Sequence, residues 1–223
     1  MWRIYQFPLC PFSRKVRLLL GEKSVGYELV RENPWDQKDE FLAMNPAGQT
    51  PVLKNEQLGI TLMHSAAVCE YFEETVEKAP MISGTAQNRA EIRRLSAWFD
   101  ETFYARVTAP LLHERMIKRL LHRASPDAKA LREAMKQATV LLDYTDWLLD
   151  KYHWMGGSVL SLADLAGAAQ ISVADYLGGI DWGRHESTKA WYSGLKSRPS
   201  FRPLLSERME VIAPPAHYDK VDF

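Results

Sequence analysis

With 223 residues, of which 46% are hydrophobic and 25% charged, the chain has the composition of an ordinary folded protein with room for one large core or two small ones. Its 28 Lys plus Arg balance 28 Asp plus Glu, so charge gives no reason to expect nucleic acid or an anionic membrane as the main partner and does little to prevent self-association. Two cysteines, Cys10 and Cys69, are too few for a disulfide framework and lack metal-ligand spacing; with no apolar run of bilayer length and no signal-peptide start, the expectation is a cytoplasmic protein with no membrane insertion and no metal.

Trp2 to Phe7 alternates apolar and polar side chains, the period of a strand, and Pro8-Leu9-Cys10-Pro11 stops it. From Pro11 the period becomes helical, with Val16, Leu19 and Leu20 on one face and Gly21 or Gly26 at the end. Tyr27 to Arg31 reads as a second strand, Asn33-Pro34-Trp35 opens a loop, and Glu40 to Met44 is a helical turn. Pro51 to Lys54 and Ile60 to Met63 make a hairpin, and Ser65 caps a helix running to about Val76. The order βαβ then ββα predicts a thioredoxin-like α+β domain over 1–78.

Residues 79–87, with Pro80 and Gly84, read as a linker. An all-helical domain is predicted over 88–205. Ile92, Leu95, Phe99 and Phe103 lie at helical spacing, Ser125-Pro126-Asp127 starts a helix, and Leu141, Leu142, Trp147, Leu148 and Leu149 continue it as an amphipathic one. Leu162 to Tyr176, rich in Ala and Gly, predicts a buried central helix. His113 to Arg123 is basic and amphipathic; a membrane-surface helix is conceivable, and a solvated helix face is the simpler reading. Cys69, beside Val68 and Phe72, reads as a small core residue. Pro214-Pro215 makes 206–223 an extended tail.

Three segments carry chemistry or architecture. Cys10-Pro11-Phe12-Ser13-Arg14 sets a thiol at a helix start, where backbone amides and the helix dipole favour a thiolate. The Cys-x-x-Ser spacing offers no resolving thiol, so a mixed disulfide is available and an internal one is not. The plain alternative is that Cys10 and Ser13 only shape the helix start. Asn45-Pro46-Ala47-Gly48-Gln49-Thr50-Pro51-Val52-Leu53 brings a proline to the mouth of a strand, which marks a tight turn or a cis bond. Ser161-Leu162-Ala163-Asp164 has capping-box spacing and reads as structural.

In this order, over roughly residues 2–205, these segments resemble the cytosolic glutathione transferases. The resemblance implies the transferase fold, a cis peptide before Pro51, a Thr50-Pro51 edge that pairs with the glutathione backbone, and Ser65 as ligand of the γ-glutamyl carboxylate. It also implies that Ser161 and Asp164 support folding of the helical domain. Cys10 would serve a glutathione-dependent thiol transferase; Ser13 would serve a detoxifying conjugase. The family carries Glu or Gln before the serine, whereas His64 stands here, and an imidazole cannot replace a carboxylate opposite an ammonium group. Thr50, Pro51, His64 and Ser65 therefore read as a vestigial glutathione site, and no cofactor is expected.

The Cys-Pro-Phe-Ser-Arg-Lys-Val-Arg start, Trp35 in the loop after strand two, and the Pro-Pro-x-His-Tyr…Asp-Phe tail resemble, within that family, transferase-like bacterial division proteins that bind the tubulin homologue FtsZ. This implies a non-catalytic homodimer at the division site that binds FtsZ polymers and supports constriction. Trp35, Tyr218, Asp222 and Phe223 are then candidate partner contacts, with the tail meeting other division proteins. An arm packed on its own domain or across a dimer is the alternative for the tail.

Overall fold

A computed structural model describes residues 1–122 and 124–223, without the side chain of His122. The chain divides into two units, Met1–Met81 and Ile82–Phe223. In the first, strand β1 (Trp2–Gln6) buries alternate residues Trp2, Ile4 and Gln6, as its two-residue period requires. Helix α1 (Pro11–Glu22) begins on a proline whose missing N–H would have had no partner in the first turn, and buries Val16 and Leu18 to Leu20. It crosses over to β2 (Tyr27–Arg31), which runs parallel to β1 from Trp2↔Tyr27 to Gln6↔Arg31. A 3₁₀ turn (Pro34–Asp36) and α2 (Asp39–Met44) follow.

Strands β3 (Val52–Asn55) and β4 (Ile60–Met63) form an antiparallel hairpin, with β3 also antiparallel to β1. The sheet order is β2-β1-β3-β4. The thioredoxin-like βαβ-ββα reading is thus observed, completed by α3 (Ser65–Thr75). One detail is corrected: Ser65 is the first residue of α3, and His64 holds the cap position with φ 68° and no side-chain capping bond. A positive φ is strained for a residue with a Cβ. At the far end of α3, the buried Lys23 ammonium pairs with Glu73 at 2.9 Å and also donates to the carbonyls of Val76 and Lys78.

The second unit is helical. Thr85 and Asn88 form a capping box at the start of α4 (Ala86–Trp98). The chain then continues through a π-helical stretch (Phe99–Thr108), α5 (Ala109–Leu112) and a second π-helical stretch (His113–His122). Pro110 has no N–H to donate and its ring crowds the carbonyl four residues back, a conflict that wider turns relieve. The helical spacing of Ile92, Leu95, Phe99 and Phe103 holds, and all four are buried.

Helix α6 (Ala128–Lys151) is capped by Asp127, whose carboxylate accepts from the amides of Lys129 and Ala130 at 2.7 and 3.3 Å; Pro126 lies before the cap rather than in the first turn. Helix α7 (Leu162–Tyr176) is buried along its whole length, as its small residues predict. A 3₁₀ turn (Trp182–Arg184), α8 (Glu186–Lys196) and α9 (Arg202–Leu205) complete the unit. Among the described residues no helix is long and apolar enough to cross a membrane.

The basic segment is not a freely solvated face. Glu114 is buried and accepts from Lys118 Nζ at 2.6 Å and from the Asp127 amide at 2.6 Å, Arg115 donates to the carbonyls of Leu177 and Gly178, and Met116 is buried. Arg123 and the His122 side chain lie outside the described residues.

Candidate functional site

In the first unit the turn before α1 meets the turn before β3. Cys10 occupies the N-cap position of α1 in extended backbone and makes no side-chain capping bond. Its thiol instead donates to the Thr50 carbonyl oxygen at 3.3 Å. The Thr50-Pro51 peptide is cis. Pro51 stays outside the ladder, which begins at Val52, because it has no N–H to pair.

Ser13 is 0% exposed, and its hydroxyl has no hydrogen-bond partner among the described residues. Ser65 is buried at the first position of α3, next to an exposed His64. A ligand ammonium at this point would meet an imidazole rather than a carboxylate. Trp35 is half-buried, with its ring edge-on to Phe7 at 5.0 Å between centroids. Cys69 is fully buried and forms no disulfide.

The tail in the second unit is the arm packed on its own domain, the alternative to an exposed docking segment. Tyr218 is 0% exposed and packs edge-on against Tyr176 at 5.0 Å; it is a core residue, not a partner contact. Tyr176 ties the tail down twice: its hydroxyl accepts from the Met209 amide at 2.8 Å and donates to the Ile212 carbonyl at 3.0 Å. His217 Nε2 lies 2.7 Å from Asp175 Oδ1, which also accepts from the Trp182 indole at 2.8 Å. Phe223 sits edge-on to Trp182 at 5.2 Å and stacks on His217 at 5.2 Å. The Lys196 ammonium lies 4.1 Å from the Phe223 ring centroid. Burial pulls the Lys196 ammonium down to about 8, against the upward pull of Asp175 and Asp219. Asp222 remains exposed.

Asp164 is the polar centre of the helical unit. Its carboxylate accepts from the Met155 amide (2.8 Å), the Ser161 amide (2.9 Å), the Ser161 hydroxyl (2.7 Å) and the Trp191 indole (3.0 Å). Burial pushes this carboxyl up, while these donors pull it back down. The box therefore extends further than its spacing implied, because Trp191 and Met155 join it from outside the motif.

Trp147, read in sequence with the apolar residues of an amphipathic helix, is 56% exposed. It stacks on Tyr144 at 5.9 Å, with the Lys151 ammonium 5.4 Å from its ring. An aromatic residue at helical spacing gives no sign in sequence of whether its neighbours cover it.

Comparison with known proteins accounts for this set of features. The family model of the glutathione S-transferase N-terminal domain matches residues 4–80. FtsZ-localized protein A of Caulobacter vibrioides (strain NA1000 / CB15N) is 42% identical over 222 residues, covering 99% of this chain and 97% of its own. The chain belongs to the glutathione transferase family. The solved structure of FzlA from C. crescentus superposes with a TM-score of 0.96 at 42% identity, covering 100% of this chain and 99% of that one. A glutathione S-transferase from Rhodospirillum rubrum F11 superposes equally well, with a TM-score of 0.96 at 43% identity and 100% coverage of both chains. Mouse glutathione S-transferase omega-2 is more distant, at 26% identity over 208 residues, 92% of this chain and 79% of that one. Within the transferase family this chain thus keeps the cis-proline turn and the helix-start cysteine, while its Ser13 is buried and an exposed imidazole precedes Ser65.

Proposed function

We propose that this chain is a non-catalytic, homodimeric transferase-fold scaffold that binds FtsZ polymers at the cytoplasmic side of the division site and supports constriction. The observation that carries the proposal is the 42% identity to FtsZ-localized protein A along 99% of the chain. Two features of the site support it. The Cys10 hydrogen is engaged by the Thr50 carbonyl, and the residue before Ser65 offers no negative charge to a γ-glutamyl ammonium. A homodimer suits the role, because two identical faces bridge two filaments and gain avidity without new contacts. Trp35, Asp222 and Phe223 are the proposed partner contacts, the last two reaching other division proteins as well.

Co-pelleting of the purified protein with FtsZ polymers in GTP tests this reading. Saturable recovery in the pellet, absent without polymer, is the expected result; no recovery well above cellular concentrations would overturn it. The second reading, a glutathione-dependent thiol transferase using Cys10 with Thr50, Pro51 and Ser65 holding the peptide, is favoured by the cis Thr50-Pro51 turn set against the cysteine. It requires saturable glutathione binding and loss of transfer in Cys10→Ser.

A further inference from the structure

The last third of α6 and the start of α8 bring together three groups that no spacing in the sequence connects. His185 Nδ1 lies 2.7 Å from Asp146 Oδ2 and 3.7 Å from Asp143 Oδ1, and one ligand atom from each residue falls within 4.8 Å of the others. We propose that Asp143, Asp146 and His185 form a binding site for a first-row divalent cation of the zinc class. Donors held about 2.0–2.2 Å from a tetrahedral zinc stand roughly 3.3–3.6 Å from one another, and the two measured separations, 2.7 and 3.7 Å, bracket that range. One imidazole with two carboxylates is a donor set that zinc accepts.

The histidine is held facing the carboxylates. Its ring is 1% exposed and turns Nδ1, the nitrogen on the site side, toward both carboxylates. As a plain hydrogen-bonded pair, His185 would serve Asp146 alone. Asp143, one turn earlier on the same helix, would then repel Asp146 with no other ion pair among the described residues to offset it. A dication answers both carboxylates at once.

The ligands are also held in place. Asp146 Oδ1 accepts from the Thr188 amide and hydroxyl, both at 2.7 Å, which leaves Oδ2 for the metal. Asp143, with 62% of its side chain exposed, and Asp146, with 20%, open the site to solvent, and three protein donors leave a fourth position for water. Loading displaces the Nδ1 proton to solvent.

The test is calorimetric titration of zinc into the full chain and into Asp143→Asn, in chelator-free buffer. This variant keeps the bonds between Asp146 and Thr188, so it leaves the α6–α8 junction standing. The expected result is one zinc per wild-type chain and at least about tenfold weaker binding in the variant, since losing even an outer partner of a metal ligand costs 10–100-fold. Cobalt in place of zinc is expected to give a visible absorption band with no thiolate charge transfer, lost in the variant. Absence of binding at millimolar zinc, equal affinity in the two proteins, or a thiolate band that assigns the metal to a cysteine would each overturn the site.

Discussion

Asp164 is where a single side chain holds most. Four donors converge on it from the loop before α7, from the α7 start and from α8, so removing the carboxylate orphans several buried N–H and O–H groups together. Each buried donor left unpaired costs about 1–3 kcal/mol, and Asp164→Ala is expected to lose at least about 3 kcal/mol in urea unfolding. A loss below about 1 kcal/mol would show the network to be dispensable. Its role was legible from Ser-x-x-Asp spacing, although Trp191 and Met155, which complete it, were not. Cys10 is the opposite case. Its place at a helix start is local, but the carbonyl its side chain meets, that of Thr50, lies 40 residues away, where no local pattern reveals it. Cys10→Ala is expected to leave FtsZ co-pelleting unchanged, whereas Asp222→Lys, at an exposed tail position, is expected to weaken function in dividing cells; normal constriction in an Asp222→Lys strain would remove the tail from the partner surface.

Among the elements, α7 and the tail show how burial is decided. Helix α7 could be read from its Ala and Gly content because a helix made mostly of small and apolar residues has little reason to face water. The structure adds what that content serves: a Cβ on Gly167 would stand 2.8 Å from the Phe99 ring. Gly167→Ala is therefore expected to destabilise by about 1–3 kcal/mol despite the better helix propensity of alanine, with the loss visible as a lowered denaturation midpoint. Unchanged stability would mean that Phe99 swings aside without strain. For the tail, Pro214-Pro215 specifies an extended backbone but not what that backbone lies against, so sequence left open both a docking segment and an arm packed on its own domain, and the structure shows the packed arm. Tyr218→Ala is expected to cost about 3–5 kcal/mol, in the range of large buried aromatics, where an exposed docking residue would cost little.

At the scale of the whole protein, Lys196 links stability to pH. The ammonium is fully buried among Tyr192, Tyr218 and Phe223, and its proton affinity falls from the ordinary 10.5 to about 8. Below about 8 both folded and unfolded chains carry the proton, and the folded state bears the cost of burying it. Between about 8 and 10.5 the unfolded chain keeps the proton that the folded chain has released, so stability rises with pH across this window. The melting temperature of wild type relative to Lys196→Met is expected to climb over that range, with the variant more stable at neutral pH. A constant difference between the two would mean that the aromatic rings hold the ammonium fully charged.

The sequence by itself determined the two-part architecture, the order of the first unit's elements along the chain and the buried α7, because periodicity, proline and capping motifs act over a few residues and are written locally; the family came from the resemblance of those segments to known proteins. Tertiary structure alone decided which charges and rings meet: Cys10 with Thr50, His185 with Asp143 and Asp146, and Phe223 with Lys196 and Trp182. Those pairings span 27 to 42 positions, apart from the adjacent carboxylates of α6, and arise from how helices and turns pack within each unit, which no short-range pattern encodes.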